Sequence, residues 1–242
     1  MRMINYDYSL NYWTNLFEYL YEKGINIHHT SYEYESFHLY TEVLKEFYKN
    51  NPTKKIKQII KISSPDFDDL NFDENQMNER ISFYKDKLLL KKIYALQWMW
   101  RSDLSSDKKR INNYNSSSVK IKNYIFSLKK NNQINYFYCF PYTAAFASRI
   151  INEDFIDGLV VYRNPYETDY EKHVDSLEAK FKNCIAIRPF LAGDALRGSD
   201  DHNCASLIKY AFNKKSVKGV VVSISKHNQV DEIIKSQLES NV

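Results

Sequence analysis

Glycine and proline are both scarce in this chain of 242 residues, which contains five of each. So low a content excludes collagen-like chains and the low-complexity segments that remain disordered. Cysteine is scarce as well. The three cysteines are Cys139, Cys184 and Cys204, none of them in a CxxC pair. An odd number of distant cysteines excludes a disulfide framework and is typical of a reducing compartment, so we expect a cytoplasmic protein.

Long apolar runs and a strong net charge are also missing. No stretch approaches the ~18 apolar residues that span a bilayer. Met1 is followed by polar residues such as Arg2, Asn5 and Asp7, which is not the pattern of a signal peptide. The 34 basic and 30 acidic residues leave a formal charge of +4. This charge is too small to indicate a nucleic acid or a membrane surface as a partner.

Apolar and aromatic residues are plentiful, with 43% hydrophobic residues, 20 tyrosines and 14 phenylalanines. This composition is typical of a globular protein with a large core. Along the chain, short strand-like apolar segments alternate with longer segments of helical spacing. Eight segments are strand-like, and each is followed by a helical one. The strand-like segments are 3–6, which is weak, and 25–29, 56–63, 92–98, 134–140, 158–162, 184–188 and 217–224.

Strands that alternate with helices pair in parallel, because each crossover needs a helix-length connection. Eight such units in about 240 residues match the size of a closed barrel of eight strands and eight helices, a (β/α)8 or TIM barrel. An open doubly wound sheet also alternates, but its GxGxxG fingerprint is absent. We therefore expect a single α/β barrel domain over residues 1–242, without an N-terminal hairpin extension. The polar stretch 102–118 is predicted to be a mobile loop on the active-site face.

Functional groups of such barrels lie where the strands end. His28, His29 and Tyr34 stand at or after the end of segment 25–29, and Lys61 and Gln97 lie near the ends of the next two strands. A lysine ammonium beside a tyrosine stabilises the phenolate and lowers the tyrosine pKa from ~10, so that the phenol can act as a general acid. No metal site is expected, because adjacent strand residues point to opposite faces and no third ligand is present.

Six segments, in chain order, resemble segments of the aldo/keto reductase superfamily. They are GINIHHTSYEY (24–34), IIKIS (59–63), YALQWMW (94–100), NQINYFYCFPY (132–142), RPFLAGD (188–194) and VKGVVVSISKHNQVDEI (217–233). The resemblance covers the chain from its first helix to its last and implies the same barrel. It also implies that NAD(P)H reduces a carbonyl while a tyrosine donates the proton.

The resemblance places the catalytic tyrosine at Tyr34 and the catalytic lysine at Lys61. The family's aspartate position holds His29, and its histidine position holds Gln97. A glutamine amide can still donate a hydrogen bond to a carbonyl oxygen. The histidine, in contrast, removes the anion expected to pair with Lys61, and a protonated ring would repel it. The sequence therefore predicts a divergent member with an incomplete catalytic tetrad.

The nicotinamide pocket departs further from the family pattern. Phe140 and Pro141 replace the Ser-Asn pair that holds the carboxamide. Val160 replaces a glutamine, and Arg163 replaces the aromatic residue that stacks on the ring. The asparagine beside it is kept as Asn164.

The cofactor's phosphate and adenine end matches better. Ser225, Lys226 and Gln229 stand at positions where the family contacts these groups, although the following asparagine is replaced by Ile233. Together with Asn164 and Arg188, these three residues are the predicted binding set for NADP or NAD.

Three functions remain open at this point. The first is a divergent reductase that reduces a carbonyl on a sugar or other polar small molecule, with Tyr34 as proton donor. The second is a barrel that no longer uses nicotinamide and performs acid–base chemistry on a sugar or phosphorylated substrate. The third is a non-catalytic binding protein. The fold cannot choose among them, since this barrel hosts many functions. The expected partner is a polar small-molecule substrate, and the oligomeric state is open.

Overall fold

Seven parallel strands form the centre of the computed structural model, which describes residues 8–197 and 203–240. Their order in the sheet follows the chain, and the sheet is a nearly closed barrel. This confirms the predicted barrel class. The weak strand predicted at 3–6 lies outside the described residues, and the other seven predicted strands are all present. The strands are β1 (Ile27–Thr30), β2 (Lys57–Ser63), β3 (Ile93–Met99), β4 (Ile134–Phe140), β5 (Gly158–Tyr162), β6 (Asn183–Ile187) and β7 (Val217–Val221).

Helices surround the strands, and all eight predicted helical segments are confirmed. Several begin at a residue whose side chain accepts a backbone N–H of the first turn, as Ser9, Asp73 and Thr143 do. No helix among the described residues is long and apolar enough to cross a membrane. The helices are α1 (Leu10–Glu22), α2 (Phe37–Asn50), α3 (Glu74–Lys87), α4 (Asp107–Lys130), α5 (Ala144–Ile150), α6 (Glu171–Ala179), α7 (Cys204–Phe212) and α8 (His227–Ser240), with a short 3₁₀ helix at Leu191–Leu196.

The segment 102–118 is not the loop that its polarity predicts, because α4 begins at residue 107. The buried face of this first part of α4 is built from Arg110 and Tyr114, which lie one turn apart. The Arg110 guanidinium stacks 3.9 Å from the Phe146 ring centre, and the Tyr114 ring packs edge-on against the same ring. Such amphipathic side chains bury their apolar parts without appearing in a hydropathy pattern.

Successive residues of each strand point alternately outward and into the barrel. The outward residues pack against the helices in the larger core, as Ile60, Leu96 and Trp98 do. The inward residues form a second, smaller cluster that includes Ile59, Ala95, Tyr138, Val160 and Ile185. Lys61 and Gln97 stand two residues beyond Ile59 and Ala95, and their side chains therefore point inward at the barrel mouth.

Gly158 allows three strands to approach closely at the start of β5. It lies opposite Tyr138 of β4 and Asn183 of β6. A Cβ atom at this position would lie 1.8 Å from the Asn183 carbonyl oxygen and 2.9 Å from Cε1 of Tyr138. The first contact is with backbone, so a side chain here would have to push the strands apart.

We expect Gly158→Ala to destabilise the protein by at least about 3 kcal/mol, because strained overpacking cannot relax against a paired strand. Urea denaturation followed by circular dichroism measures this change. The matched control is Gly219→Ala in β7, where a Cβ meets no heavy atom within 4 Å. The control should change stability by less than about 1 kcal/mol. Equal effects of the two substitutions would contradict this packing.

Candidate active site

A cavity of about 720 Å³ opens at the carboxyl ends of the strands. Its place and size are those of ligand sites in (β/α)8 barrels. One wall is polar and is formed by His29, Tyr34, Lys61 and Gln97. The cavity continues along an aromatic and apolar wall toward the start of α8. The residues on this second part include Phe140, Tyr142, Tyr162, Phe190, Leu196, Gln229 and Glu232.

The four predicted catalytic residues come together at the polar wall. The Lys61 Nζ atom lies 5.3 Å from the centre of the Tyr34 ring. The His29 ring lies 6.1 Å from the Tyr34 ring, and its Nε2 atom is 2.7 Å from Oε1 of Gln97. They come from β1, β2, β3 and the loop after β1. They meet because the carboxyl ends of parallel strands lie at one edge of the barrel.

Tyr84 of α3 holds the loop that carries Tyr34 against β2. Its hydroxyl accepts a hydrogen bond from the Tyr32 backbone N–H and donates one to the Lys61 backbone oxygen, both at 2.9 Å. Burial raises the pKa of this phenol, which keeps it protonated as a donor. The loop itself turns through a hydrogen bond from Tyr34 N–H to the Ser31 oxygen at 3.1 Å.

His29 is a neutral imidazole in this site. Its side chain is partly exposed to the cavity, but the ring lies deep enough that its pKa falls to about 3, mainly through desolvation and with a smaller contribution from the Lys61 charge. Because Gln97 Oε1 can only accept, the His29 Nε2 atom carries the proton and donates it in their hydrogen bond. The repulsion between a protonated His29 and Lys61 that the sequence suggested is therefore absent near neutral pH.

The prediction that Lys61 lacks an anionic partner is wrong. The Lys61 Nζ atom lies 2.5 Å from Oε2 of Glu33, the residue immediately before Tyr34. Burial raises the pKa of the Glu33 carboxyl, but hydrogen bonds from Arg101 and Lys61 outweigh burial and leave the pKa below its usual range. Glu33 is therefore ionised. The resemblance pointed only to residue 29 for this carboxylate, and no local pattern marks residue 33.

Arg101, which follows β3, joins the loops after the first four strands. Its guanidinium binds both oxygens of Glu33 at 2.6 and 2.8 Å and Oδ1 of Asp66 at 3.0 Å, and it donates to the Tyr142 hydroxyl at 3.0 Å. The arginine side chain is only 7% exposed. Asp66 is bound in turn by Arg80 at 3.2 Å. These contacts form a continuous ion-pair network beneath the polar wall.

The aromatic residue that faces the cavity from β5 is Tyr162 and not the aligned Arg163. Arg163 points outward, where its side chain is 1% exposed and lies 3.1 Å from Glu171. It also donates to the Tyr210 backbone oxygen at the end of α7. Tyr162 lines the cavity, with the Arg188 guanidinium 4.8 Å from its ring centre. Because successive strand residues point to opposite faces, position 163 cannot present a side chain to the cavity, whereas position 162 does.

Asn164, predicted to bind a cofactor, is buried outside the cavity lining. Its amide nitrogen donates to Glu167 Oε2 at 2.7 Å and to the Arg188 backbone oxygen at 3.0 Å. Its Oδ1 atom accepts the backbone N–H groups of Tyr166 and Glu167, each at 3.0 Å. This is the arrangement of an asparagine that stabilises a turn. Its role here is to shape the loop after β5.

Of the other predicted cofactor residues, Arg188 and Gln229 line the cavity. Gln229 turns back over the start of α8, where its Oε1 atom accepts the backbone N–H groups of Ser225 at 2.8 Å and Lys226 at 3.1 Å. Ser225 and Lys226 are not among the residues that line the cavity, and the Lys226 side chain is exposed.

Comparison with known proteins bears on the fold. No family model and no curated protein matches the sequence. Solved structures do match. A Pseudomonas aeruginosa protein assigned to the aldo-keto reductases shares 13% identity with a TM-score of 0.75, over 97% of this chain and 86% of that one.

Two further structures give the same result. The holo form of a Bacillus halodurans aldo-keto reductase has a TM-score of 0.68 at 13% identity, over 93% of this chain and 80% of that one. A Klebsiella pneumoniae aldo/keto reductase in complex with NADP and acetate has a TM-score of 0.70 at 9% identity, over 94% and 80%. The chain therefore has the fold of the aldo-keto reductases.

His28 and His29 point to opposite faces of β1, as expected for strand neighbours. His28 packs edge-on against Phe17, and its Nδ1 atom lies 3.1 Å from the Tyr40 hydroxyl. Among residues 8–197 and 203–240, no three histidine, cysteine or acidic side chains form a cluster that could hold a metal ion.

The buried His28 makes stability dependent on pH. Desolvation lowers its pKa from 6.5 to about 3, so the unfolded state binds more protons between these values and stability falls as the pH drops below about 6.5. Between about pH 7 and pH 5, His28 should lower the free energy of unfolding of the wild type by about 2 kcal/mol. We expect His28→Gln to lack this decrease when the free energy of unfolding is measured by urea denaturation. The exposed His38, replaced in the same way, is the control and should leave the loss unchanged. If the His28 variant lost as much stability between pH 7 and pH 5 as the wild type, the ring of His28 would not be neutral and buried.

Removal of Arg101 should destabilise the barrel mouth. Arg101→Met leaves Glu33 and Asp66 without their shared cation, and breaking one side of a buried pair costs about 3–5 kcal/mol. Urea denaturation at neutral pH measures the change. Lys45→Met, which removes an exposed ion pair with Glu42, is the matched control and should cost less than about 1 kcal/mol. Comparable losses in the two variants would show that the network contributes no more than a surface pair.

Proposed function

We propose that this chain is an aldo-keto reductase-like enzyme that uses NAD(P)H to reduce the carbonyl of a sugar or another polar small molecule. The observation that carries the proposal is the position of Tyr34 beside Lys61, at the mouth of a barrel that shares its fold with proteins crystallised with NADP. The nearby His29–Gln97 pair adds polar groups that can face a carbonyl oxygen.

In the proposed reaction, NAD(P)H held in the cavity would supply the hydride for the carbonyl carbon. The Tyr34 hydroxyl then gives its proton to the carbonyl oxygen, so that an aldehyde or ketone leaves as an alcohol. The Lys61 ammonium stabilises the negative charge that remains on the phenol, which recovers a proton from solvent. Gln97 uses its Oε1 atom to accept from His29 and keeps its amide N–H₂ for the substrate oxygen.

The shape of the cavity suits a long cofactor. It extends from the polar wall, past Tyr162 and Arg188, to Gln229 and Glu232. The Tyr162 ring offers a face on which a nicotinamide could stack, and Arg188 offers a cation for a phosphate, although it already contacts Glu167 at 3.1 Å.

The cavity offers no polar side chain at positions 140 and 141 to bind the carboxamide group of a nicotinamide. Phe140 lines the cavity with a hydrocarbon ring, and Pro141 beside it has no polar side chain. A polar group that loses its hydrogen bond on burial costs about 1–3 kcal/mol, which weakens binding by about 5- to 150-fold. We therefore expect a weaker dissociation constant for NAD(P)H than a site with polar residues at these two positions would give.

The same apolar wall favours a second candidate function. A barrel without nicotinamide could use Tyr34 and Lys61 for acid–base chemistry on a sugar or phosphorylated substrate. Binding of the cofactor distinguishes the two, and loss of any activity in a Tyr34 variant excludes a purely binding role.

The first experiment is a titration with NADPH and with NADH, followed by quenching of protein fluorescence. We expect saturable binding that Tyr162→Ala weakens by about tenfold, because the ring loses a stacking partner. Tyr166→Ala, a change of the same kind at a side chain outside the cavity lining, is the control. If neither nucleotide binds at millimolar concentration, the reductase proposal fails and the second candidate is favoured.

The second experiment measures NADPH oxidation with a panel of aldoses and small aldehydes. Tyr34→Phe should lower kcat by about 10²–10⁴-fold while the dissociation constant of NADPH stays unchanged, because only the proton donor is lost. Tyr32→Phe, a neighbouring tyrosine outside the cavity lining, should keep the wild-type rate. A Tyr34→Phe enzyme as active as wild type would exclude this residue as the donor.

A further inference from the structure

The Lys61 ammonium is enclosed on the protein side by carboxylate and ring atoms. The lysine side chain is 17% exposed, and its Nζ atom lies between the Tyr34 ring at 5.3 Å and Glu33 Oε2 at 2.5 Å. Burial of an ammonium is costly unless an opposite charge pairs with it. Among the described side chains, the only ion pair of Lys61 is the one with Glu33.

The Glu33 carboxylate is itself held in place. Arg101 binds both of its oxygens, in the two-point geometry that fixes a carboxylate plane. The backbone N–H of Glu33 donates to Ser31 Oγ at 3.2 Å, which fixes the turn at the start of the loop. Because one carboxylate contacts both cations, the lysine is held at a defined distance from the neighbouring Tyr34.

His29 does not supply the negative charge that pairs with Lys61. Its ring is neutral and hydrogen-bonded to Gln97, so it supplies no negative charge to Lys61. The anion therefore reaches Lys61 from the loop after β1, whereas the resemblance expects it on β1 itself. The two positions are four residues apart in sequence, and both side chains face the same lysine.

We propose that Glu33 is the positioning residue that replaces the missing carboxylate at residue 29 and holds the Lys61 ammonium beside Tyr34. This inference rests on the proposed function for its catalytic meaning, but the ion pair can be tested without catalysis. Glu33 acts through Lys61 and has no contact with the reacting atoms in the proposed reaction.

The first test records the ¹H–¹⁵Nζ signal of Lys61 by NMR, assigned with a Lys61→Met variant. An ammonium held by a carboxylate exchanges its protons slowly enough to be seen. We expect the signal in wild type, its loss in Glu33→Gln, and its return in the double variant Glu33→Gln with His29→Asp, which places a carboxylate at the position that the family uses.

Asp66→Asn is the matched control. It also removes a carboxylate from Arg101, but it leaves the Glu33–Lys61 pair intact. We expect this variant to lose stability and keep the Lys61 signal. Glu33→Asp gives a second route if Glu33→Gln does not fold, because the shorter side chain should remain bound to Arg101 and withdraw from Lys61, with the same loss of signal.

The second test follows the rate with the best carbonyl substrate of the panel. Glu33→Gln should lower kcat by about 10- to 100-fold through misplacement of Lys61, with little change in KM, and the double variant should recover most of the rate. A purely structural role for Glu33 would instead give no recovery with His29→Asp.

The outcomes separate this inference from the proposed function. If the protein neither binds NADPH nor reduces a carbonyl, the proposed function fails, while the NMR signal still decides whether Glu33 holds Lys61. If Glu33→Gln keeps the Lys61 signal, or the double variant fails to restore it, the assignment of Glu33 is overturned.

Discussion

The arrangement of the loops at the mouth of this barrel depends on the buried guanidinium of Arg101. The cost of burying this charge is offset by Glu33 and Asp66, whose carboxylates accept from its terminal nitrogens, and by the Tyr142 hydroxyl, which accepts from Nε. These partners come from the loops after three different strands. The charge therefore favours a single arrangement of these loops. The positions of the candidate catalytic groups follow from that arrangement.

The secondary structure could be predicted from the sequence because strands and helices impose different hydrophobic periods. The prediction failed where burial does not depend on aliphatic residues. The first turns of α4 bury Arg110 and Tyr114 against aromatic rings, and neither residue contributes to an apolar period. The parallel order of the strands followed from the length of the connections, which needs no knowledge of the side chains.

The candidate site was predictable in part for a related reason. Tyr34, Lys61, His29 and Gln97 lie at or just beyond strand ends, and parallel strands bring their ends together whatever lies between them. The pair between Glu33 and Arg101 joins residues 68 positions apart through loops whose paths no periodicity determines. The resemblance drew attention to residue 163 on β5, whereas the side chain that faces the cavity is that of its neighbour Tyr162.

In the first turn of α8, the Gln229 side chain occupies a position where a bound anion could accept hydrogen bonds. Gln229 folds its side-chain oxygen onto the N–H groups of Ser225 and Lys226, so these two groups just before α8 are paired without any bound anion. An incoming phosphate would have to displace an acceptor that is already in place and is tethered to the same helix. Binding of a phosphate to these N–H groups would therefore release the Gln229 side chain from the start of α8.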